Sequence, residues 1–446
     1  MNSTTDTIES ALDIIECLQN AGFEAVFCGG AVRDFILGIE PHDIDIATSA
    51  TPDEVEALFP KTVAVGKSFG VVRVLIDEEE FEVATFRKDS NDSDGRRPNS
   101  VSFSSMKEDA LRRDLTVNAL FFDPIADKIF DFVGGQEDIK ARHIRFVGKP
   151  DARIEEDKLR MLRVARFGSR GGWVIGRETK EAVIRNASGV TNVSAERIAD
   201  ELTKIFTQKT AHLGLSMLRD LGLLQHVLPR VAALSSCVQD KKNHPEGDVF
   251  THVVQMLKAA GENLIGNPVL AWGIILHDIA KPDTRAVRED GHITFHGHAE
   301  KGAEIAREIL TQLRFDGKTI DAVVDLVKQH DRFFDVKGMK GSTRLRFISA
   351  PGFDNLLELH RCDCVGSNGD VSLYDYVLQV RASTPLSQIR PEKFVDGHDL
   401  IAMGFKPGKL FKEITEAVEN EQREGRVFNK EDAIAFVKKF TAKVDS

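Results

Sequence analysis

Two aspartates separated by one residue, Asp43 and Asp45, follow a glycine pair in the opening segment of the chain. On a strand, side chains two residues apart point to the same side, so the two carboxylates would lie together. Like charges at that distance are costly unless a cation lies between them. Mg²⁺ accepts one or two carboxylates plus phosphate oxygens, and two such ions can activate a hydroxyl and stabilise a leaving pyrophosphate. The pattern predicts a nucleotidyl-transfer site, and two solvated acids on a surface strand are the alternative.

The neighbours of these aspartates favour the chemical interpretation. A predicted strand ends at Gly29 and Gly30, and a predicted helix that carries Arg33 follows. Glycines let backbone amides approach a triphosphate at a helix N-terminus. Glu82, on another predicted strand, could supply a third acid, although a solvated strand residue explains it equally well. Strand, glycine turn, arginine-bearing helix and paired acids together are typical of nucleotidyl transfer.

A second set of residues could choose a nucleobase without a template. Asp157 and Arg160 are neighbours if the segment EEDKLRMLRVARF is one helix. A carboxylate accepts hydrogen bonds and a guanidinium donates them, which matches the pairing edges of cytosine and adenine and mismatches guanine and uracil. A mismatch would leave buried polar groups unpaired, at about 1–3 kcal/mol each. A salt bridge on a helix surface is the alternative.

Histidines and aspartates in the second half form a third set. His252, the dipeptide His277-Asp278, and Asp363 occur in that order, and His298 and His330 lie between them. Histidine and aspartate together suit a divalent transition metal. A His-Asp dipeptide with distant His and Asp residues predicts a metal cage. The alternative is a helical scaffold without a working metal.

Composition sets limits on the class of protein. The chain has 446 residues and a net charge of −11, which argues against a non-specific coat on nucleic acid. Residues 140–170 are nevertheless basic, with ten Lys/Arg against four Asp/Glu, so a phosphate-rich substrate is expected there. The five cysteines show no zinc or disulfide pattern, and the longest apolar run, 268–276, is too short to span a bilayer. We expect a cytoplasmic protein that contacts no membrane.

The elements that must position these residues predict an α+β fold. Short strands and helices alternate up to about residue 150, which predicts a small mixed sheet with helices. Beyond it, apolar residues recur at spacings of three and four, which predicts helices to the end of the chain. We expect four domains: a head over 1–150, a helical neck over 151–240, a metal-binding domain over 246–366 and a helical tail over 367–446.

Four motifs in order resemble the class II tRNA nucleotidyltransferases and bacterial poly(A) polymerases, within the polymerase-beta-like superfamily. The motifs occupy residues 28–52, 111–124, 131–150 and 155–168. The resemblance implies a head with two Mg²⁺-binding, catalytic aspartates, Asp43 and Asp45. It also implies a set of nucleotide-binding residues: Gly30, Arg33, Arg113, Asp157, Arg160, Arg163 and Arg166. The roles of Arg163 and Arg166 rest on the resemblance alone.

The second half resembles an HD phosphohydrolase domain, which some bacterial tRNA nucleotidyltransferases carry. That resemblance gives His252, His277, Asp278 and Asp363 the role of core metal ligands. The segment GHAEKGAEIA, residues 297–306, matches the companion segment of that family. The resemblance therefore implies that His298 and His330 could hold a second metal. The tail over 395–418 also resembles these enzymes, and a plain helical cap explains it equally well.

The function that the resemblance implies is addition of CCA, from CTP and ATP, to the 3′ end of tRNA; no DNA partner is expected. An enzyme that adds only A or only CC is one alternative, and the long loop over 87–100 argues against the CC-adding form. A poly(A) polymerase is another, disfavoured because VGKSFGVV, residues 65–72, lacks a further basic residue beside Lys67. A phosphohydrolase whose head only docks RNA and a non-enzymatic RNA-binding protein are the others.

Overall fold

The structure is a computed structural model and describes residues 4–41, 43–63, 67–76, 79–89, 101–240 and 244–442. The chain divides into two compact units, Met1–Ala232 and Ala233–Ser446. The predicted α+β fold is confirmed, because the first unit holds a mixed sheet with helices and the second is almost entirely helical where it is described. Within the described ranges, no helix is long and apolar enough to cross a membrane.

The described strands of the head are short and follow the alternation of the sequence. They are β1 (Ala25–Cys28), β2 (Asp45–Thr48), β3 (Thr62–Val63), β4 (Val71–Ile76), β5 (Glu79–Thr85), β6 (Arg87–Asp89), β7 (Val101–Phe103), β8 (Leu120–Asp123) and β9 (Lys128–Asp131). Seven of them form one sheet in the order β3-β4-β5-β2-β1-β8-β9, in which β2 and β5 are parallel and the other neighbours antiparallel.

Strands β6 and β7 form a separate antiparallel pair. The loop predicted over 87–100 therefore begins as a strand, and its residues 90–100, including the DGRRP segment, lie outside the described residues. A further parallel pair joins β10 (His143–Ile144) to β11 (Val174–Ile175), so the predicted helical neck contains one short strand. Sequence patterns did not predict these pairs, because strands of two or three residues are too short to show a periodicity.

Helices cover the sheet of the first unit and continue beyond it. They are α1 (Thr4–Asn20), α2 (Gly30–Ile36), α3 (Pro52–Leu58), α4 (Met106–Arg112), α5 (Gly135–Ala141), α6 (Pro150–Glu156), α7 (Arg160–Gly168), α8 (Arg177–Asn186), α9 (Ala195–Phe206), α10 (Ala211–Asp220), α11 (Leu224–Val227) and α12 (Pro229–Ala232). Buried residues of α4 pack with alternate residues of β1, β2 and β8, and this cluster fixes the strand ends that carry the site: Val26, Cys28, Ala47, Phe86, Met106, Ala110 and Phe121.

The segment predicted as one helix over EEDKLRMLRVARF is broken. Helix α6 ends at Glu156 and α7 begins at Arg160, with Asp157 in an extended conformation at φ −154° and ψ 108°. The Asp157 carboxylate accepts the Leu159 N–H at 3.0 Å. A short polar side chain that bonds a nearby backbone N–H competes with the helix in this way. The break turns Asp157 out of the helical register assumed from the sequence.

The second unit is an assembly of helices with one short hairpin, β12 (Ala286–Val287) and β13 (Ile293–Thr294). Its helices are α13 (Val249–Ala260), α14 (Pro268–Leu276), α15 (Lys281–Thr284), α16 (His298–Gln312), α17 (Gly317–Gln329), α18 (Gly341–Ile348), α19 (Phe353–Gly366), α20 (Ser372–Ser383), α21 (Leu386–Ile389), α22 (Gly397–Ala402), α23 (Lys409–Arg423) and α24 (Lys430–Thr441). Helix α14 is buried along nearly its whole length, so the histidine that follows it, His277, enters the centre of the unit.

The tail has an apolar cluster of its own. Residues of α22, α23 and α24 contribute to it, and the buried members are Val395, Leu400, Ile414, Val418, Val427, Ala433 and Val437. The apolar faces of these helices therefore pack against one another, and the cluster includes no residue of the metal-binding segment.

Candidate functional site

Asp43 and Asp45 open onto one cavity of the head. Strand β2 begins at Asp45, so Asp43 lies just before the strand. The alternation still holds, because Ile44 is buried and both aspartates are exposed. The cavity has a volume of about 670 Å³, and Glu82 of the neighbouring strand β5 also lines it. Glu79 and Glu80 line it as well, so five acidic residues face the same space.

The electrostatics of this cavity suit a cation. Burial of the carboxyl raises the pKa of Asp45, Glu82 raises it further, Arg113 lowers it and Asp43 adds a smaller increase. Asp45 as a residue is exposed, but the cavity wall removes part of the hydration of its carboxylate. Carboxylates that raise one another's pKa are stabilised by a divalent ion between them, so this donor set fits a metal.

The glycine pair separates these acids from two arginines. Gly29 has a φ of 73°, and a Cβ at this position would lie 3.3 Å from Arg113 Nη1 and 3.9 Å from Asp45 Oδ2. A Cβ on Gly30 would lie 3.5 Å from Arg33 Nη2. Because neither glycine has a side chain, both guanidinium groups reach the backbone beside the acids.

Acidic and amide partners hold both arginines in place. Arg33 donates from Nε and Nη2 to Asp34 at 2.9 and 3.0 Å, and from Nη1 to the side-chain oxygen of Asn118. Arg113 donates from Nε to Asp109 Oδ2 at 3.0 Å. Asp109 is buried, so its carboxylate is a fixed anchor. The structure thus brings Gly30, Arg33 and Arg113 to one side of the aspartates.

Asp157 and Arg160 bind other residues rather than each other. Arg197 Nη2 lies 2.6 Å from Asp157 Oδ2, and Arg197 Nη1 lies 3.3 Å from Oδ1. Arg160 binds Glu156 through Nη1 at 2.5 Å, and its Nη2 donates to the carbonyl of Arg112 at 3.1 Å. The Asp157–Arg160 salt bridge considered from the sequence is therefore wrong, because the helix break removes the spacing that it requires.

Arg163 and Arg166 share a buried carboxylate that the sequence did not single out. Glu201 Oε1 lies 3.3 Å from Arg166 Nη1 and 3.8 Å from Arg163 Nη1, and Glu201 is 2% exposed. Arg163 also binds Asp114. No hydrogen-bond partner is found in the described part of the chain for Glu201 Oε2 or for Arg166 Nε. A buried charged group with an unused atom calls for a functional explanation.

Four guanidinium groups surround one aromatic ring. The centroid of Phe167 lies 5.1 Å from Cζ of Arg33, 5.6 Å from that of Arg163, 4.6 Å from that of Arg166 and 5.0 Å from that of Arg170. Arg170 was missed by sequence reasoning. The signal was partial, because Arg163 and Arg166 are three positions apart on α7, whereas Arg170 lies two residues beyond the end of that helix at Gly168.

In the second unit, the predicted ligands converge in two adjoining groups. His252, His277 and Asp363 form one, and Asp278, His298 and His330 form the other; within each, the potential ligand atoms lie within 4.8 Å of one another. A third group, which shares His252, contains His244 and Glu246. Within the described residues, these three are the groups of potential ligand atoms close enough to hold a metal ion, and none lies in the head.

The ring orientations of three histidines are fixed by the backbone. Each donates its Nδ1 hydrogen to the carbonyl three residues earlier: His277 to Ile274 at 2.8 Å, His298 to Phe295 at 2.8 Å and His330 to Val327 at 2.6 Å. This fixes the tautomer that leaves the Nε2 lone pair free, which is the usual arrangement behind a metal ligand.

Unused nitrogen atoms point into this centre. His252 Nε2 lies 3.1 Å from Asp363 Oδ1, and His277 Nε2 lies 3.1 Å from Asp278 Oδ2, but neither contact has hydrogen-bond geometry. His298 Nε2 lies 3.1 Å from His330 Nε2. Buried ring nitrogens that face carboxylates without a hydrogen bond fit a divalent transition metal, since a cation would bind both kinds of atom.

Two supporting residues of this centre were not predicted. Glu246 Oε1 accepts from His252 Nδ1 at 2.9 Å and lies 2.9 Å from His244 Nδ1. Lys281 Nζ lies 2.6 Å from Asp278 Oδ2. Lys281 could have been found, because it follows Asp278 by three residues. Glu246 could not, because it lies in a loop that has no periodicity.

Three family models match successive segments of the chain. The family model described as the poly A polymerase head domain matches residues 25–145. A model described as the probable RNA and SrmB-binding site of polymerase A matches residues 174–234, and the HD domain model matches residues 249–362. The matches cover the head, the helices after it and the histidine-rich centre in turn.

Curated relatives carry the name CCA-adding enzyme. One from Bacillus pumilus (strain SAFR-032) is 40% identical over 278 residues, which are 62% of this chain and 65% of that protein. The match thus spans slightly less than two thirds of that relative's length. One from Geobacillus sp. (strain WCH70) is 34% identical over 435 residues, 96% of each chain.

A solved structure extends the likeness to the whole fold. The crystal structure of the Bacillus stearothermophilus CCA-adding enzyme in complex with CTP has a TM-score of 0.75 and 27% sequence identity to this chain. The alignment covers 100% of this chain and 99% of that one. Together with the relative that matches at 34% identity over nearly its full length, this likeness shows that the chain belongs to the family of CCA-adding enzymes.

Proposed function

We propose that the protein adds C and A to the 3′ end of tRNA without a template and releases pyrophosphate. The observation that carries this proposal is the placement of Asp43, Asp45 and Glu82 around one cavity, with Gly29 between that cavity and Arg113. A site of this kind combines a cluster of carboxylates with cations for phosphates. The names of the family members agree with it.

The residues divide the work of the reaction by their chemistry. Asp43 and Asp45 would hold Mg²⁺, which when bound aligns the tRNA 3′ hydroxyl with the α-phosphate and stabilises the leaving pyrophosphate. Gly30 and Arg33 contact the triphosphate, and Arg113 contacts the phosphate or ribose nearest to Asp45. Alignment and fixed positive charge supply most of the acceleration.

Asp157 and Arg160 select the base. The Asp157 carboxylate accepts from the exocyclic amino group of C or A, and Arg160 donates to the ring nitrogen beside it. Because these two side chains bind Arg197 and Glu156, there is no Asp157–Arg160 ion pair for the base to displace. Arg163 and Arg166 complete the nucleotide contacts along α7.

An incorporation assay tests the proposal. Purified protein with Mg²⁺ receives four tRNA transcripts, which lack CCA, end in C, end in CC or are complete, each with CTP, ATP or both. Stepwise extension to CCA followed by arrest is the expected result. Asp43→Asn and Asp45→Asn should abolish incorporation, whereas Asp53→Asn, at an exposed position of α3, should leave it unchanged.

Other outcomes would replace the proposal with a specific alternative. A single A added only to the CC end identifies an A-adding enzyme, and extension that stops at CC identifies a CC-adding enzyme. Long A tails on any RNA identify a poly(A) polymerase. Absence of incorporation with any substrate would contradict nucleotidyl transfer and leave the second unit as the site of activity.

The second unit supports metal-dependent phosphohydrolysis as a further function. The observation in its favour is the set of buried His252 and His277 Nε2 atoms without hydrogen bonds, beside Asp278 and Asp363. A divalent transition metal there would supply an activated water and a Lewis acid. A cavity of about 680 Å³ is lined by Asp278, Asp363, His298 and His330 among others, and it is large enough for a small phosphoester.

Metal loading and hydrolysis together test this function. Metal content of the purified protein and titration with Mn²⁺, Ni²⁺ and Zn²⁺ should show binding that His277→Ala removes. Hydrolysis of bis(p-nitrophenyl) phosphate should likewise require the metal and be lost in His277→Ala. The Asp45→Asn variant should keep both properties. Binding that survives His277→Ala, or hydrolysis lost in Asp45→Asn, would contradict the assignment.

The boundaries and the location expected from the sequence remain proposals. We propose a head over 1–150, a neck over 151–240, an HD domain over 246–366 and a tail over 367–446. The family matches at 25–145, 174–234 and 249–362 support these divisions. The five free cysteines support a cytoplasmic location, since oxidising compartments favour disulfides.

A further inference from the structure

The arginines around the Phe167 ring carry more positive charge than the carboxylates in contact with them can neutralise. Four guanidinium carbons lie between 4.6 and 5.6 Å from the ring centroid. Among the described residues, three acids contact these arginines: Asp34, Asp114 and Glu201. Four cations with three anions leave this cluster, the arginine cluster of Arg33, Arg163, Arg166 and Arg170, with a net positive charge. A partly buried cluster of like charges is stabilised by an added anion.

Unused donors in the cluster point to the same conclusion. Asn118 is 7% exposed and accepts from Arg33, but its Nδ2 has no hydrogen-bond partner among the described residues. Arg166 Nε is also buried without a described partner. Donors that are buried and unpaired are costly, at about 1–3 kcal/mol each, unless a ligand supplies the acceptor.

The exposure of the arginines shows from which side an anion can enter. The side chain of Arg33 is 4% exposed, that of Arg166 is 14% exposed and that of Arg170 is 41% exposed. Arg170 therefore forms the open rim of the cluster and Arg33 its floor. Burial and the nearby Arg33 lower the pKa of Arg170 to about 10, which leaves its guanidinium charged at neutral pH.

The cluster continues the line that starts at the catalytic acids. Asp45 Oδ2 lies 3.9 Å from the Cβ position of Gly29, and Arg33 Nη2 lies 3.5 Å from that of Gly30. Arg33 contacts Phe167, and Arg166 and Arg170 lie over the same ring. An extended polyphosphate with its reacting phosphate at Asp45 would run along the glycine pair and end in the arginine cluster.

We propose that Arg170 binds the terminal phosphates of the incoming nucleoside triphosphate, and the pyrophosphate product, together with Arg33 and Arg166. This rests on the nucleotidyl transfer proposed above. Arg170 Nη1 lies 3.8 Å from Asp34 Oδ1, so Arg170 also draws on the carboxylate that otherwise neutralises Arg33. Arg170 thereby keeps Arg33 available for phosphate. Of the four arginines of the cluster, Arg33 and Arg170 are the two that contact Asp34 in the described part of the chain.

Steady-state kinetics and direct binding of pyrophosphate test the proposal. For Arg170→Ala we expect KM for both CTP and ATP to rise about ten-fold with a smaller change in kcat, since one charge-assisted contact is lost. The inhibition constant of pyrophosphate should rise by a similar factor. Inhibition by CMP and AMP, which lack the terminal phosphates, and KM for tRNA should remain unchanged.

Two further variants keep the test decisive. Arg177→Ala removes an exposed arginine of α8 that pairs with Glu181 and should change none of these constants. Arg170→Lys keeps the charge but loses the planar contact with Phe167, so it should fall between wild type and Arg170→Ala even if the alanine variant folds poorly.

Calorimetric titration with magnesium pyrophosphate separates this proposal from the nucleotidyl-transfer proposal. Weaker binding to Arg170→Ala than to wild type supports the subsite even if the wild-type protein incorporates no nucleotide, in which case only the transfer proposal fails. Equal pyrophosphate binding by wild type and Arg170→Ala would overturn the subsite. A rise in KM for tRNA alone would overturn it as well, and would assign Arg170 to an RNA phosphate.

Discussion

Arg197 and Asp157 form a two-point ion pair that joins α9 to the break between α6 and α7, with Nη2 2.6 Å from Oδ2 and Nη1 3.3 Å from Oδ1. The pair fixes the plane of a carboxylate proposed to read the base. Two parallel contacts between a guanidinium and a carboxylate give orientation as well as energy.

Removing Arg197 should therefore weaken base selection. For Arg197→Ala we expect kcat/KM for CTP and ATP to fall about ten-fold and misincorporation of UTP and GTP to rise, because Asp157 is free to turn. Single-nucleotide addition to transcripts that lack CCA or end in CC measures both effects. Arg197→Lys should recover the charge but not the discrimination. Unchanged discrimination in Arg197→Ala would show that Asp157 does not depend on this pair.

Glu201 should matter for stability more than an exposed acid does. Glu201→Gln removes one of the three acids of the arginine cluster, so we expect a loss of about 1–3 kcal/mol in the free energy of unfolding. Urea unfolding measures it. Added pyrophosphate should restore more stability to this variant than to wild type, since an anion replaces the missing charge. Glu196→Gln, at an exposed position of the same helix, is the control; equal losses would contradict the idea.

Gly135 allows α5 to start against the backbone of the head. A Cβ on this residue would lie 2.3 Å from the carbonyl oxygen of Thr116, a contact that neither backbone can relieve by a rotamer change. We expect Gly135→Ala to lower the free energy of unfolding by about 1–3 kcal/mol. Gly171→Ala, whose Cβ would make an ordinary contact at 3.6 Å with Thr210, should change it by less than about 0.5 kcal/mol. Thermal and urea unfolding compare them.

Asp131 gives the head a component of stability that depends on pH. Its carboxylate accepts the backbone N–H groups of residues 133–136. Partial burial raises the pKa of Asp131, but these four bonds together lower it below its usual value. A lowered folded-state pKa means that this stability is present above the unfolded pKa of about 3.9 and is lost as pH falls through the folded value.

The difference between wild type and Asp131→Asn isolates this component. It should amount to about 1 kcal/mol or less at pH 7, because the group is partly exposed, and it should shrink as pH falls below about 4. Urea unfolding between pH 7 and pH 3 gives the difference at each pH. A difference that stays constant over this range would assign the effect of the substitution to packing.

Metal uptake in the second unit should release a proton. Burial lowers the pKa of His252, but its contacts with Asp363 and Glu246 raise that pKa to about 9 in the metal-free protein. A metal requires the neutral ring, so affinity should rise about ten-fold per pH unit from pH 7 and level off near the pKa of His252. Calorimetry in two buffers of different ionisation enthalpy counts the proton. In Glu246→Gln the dependence should weaken; the same proton count in that variant would point to another group.

Much of the head could be predicted because its signals are local. The alternation of Ile44 with Asp43 and Asp45 placed both acids on one side, and the glycine pair marked the turn before α2. In the neck, the spacing of Arg163 and Arg166 on α7 indicated part of the arginine cluster, but Arg170, beyond the end of that helix, was overlooked. Such patterns survive because strand and helix periods are set by the backbone itself.

The remainder depended on contacts between distant segments. Asp157 leaves the helix while its carboxylate pairs with Arg197, 40 residues away in the chain, and no period relates the two. Glu201 lies on the buried face of α9, where a sequence pattern predicts an apolar residue. In the second unit the order of His and Asp residues indicated the candidate ligands, but their division into two groups follows from how α13, α14, α16, α17 and α19 pack.

The bonds from the His277, His298 and His330 rings to carbonyls three residues earlier have an evolutionary consequence. The His277 and His330 bonds lie at helix C-terminal ends, and the His298 bond joins Phe295, just after β13, to the first residue of α16, so which nitrogen faces the centre is decided over four residues of chain. The rest of each connecting segment takes no part in that decision. Insertions and deletions can therefore accumulate between these helices while the inward-facing nitrogens are preserved, which makes this half of the chain tolerant of changes in length.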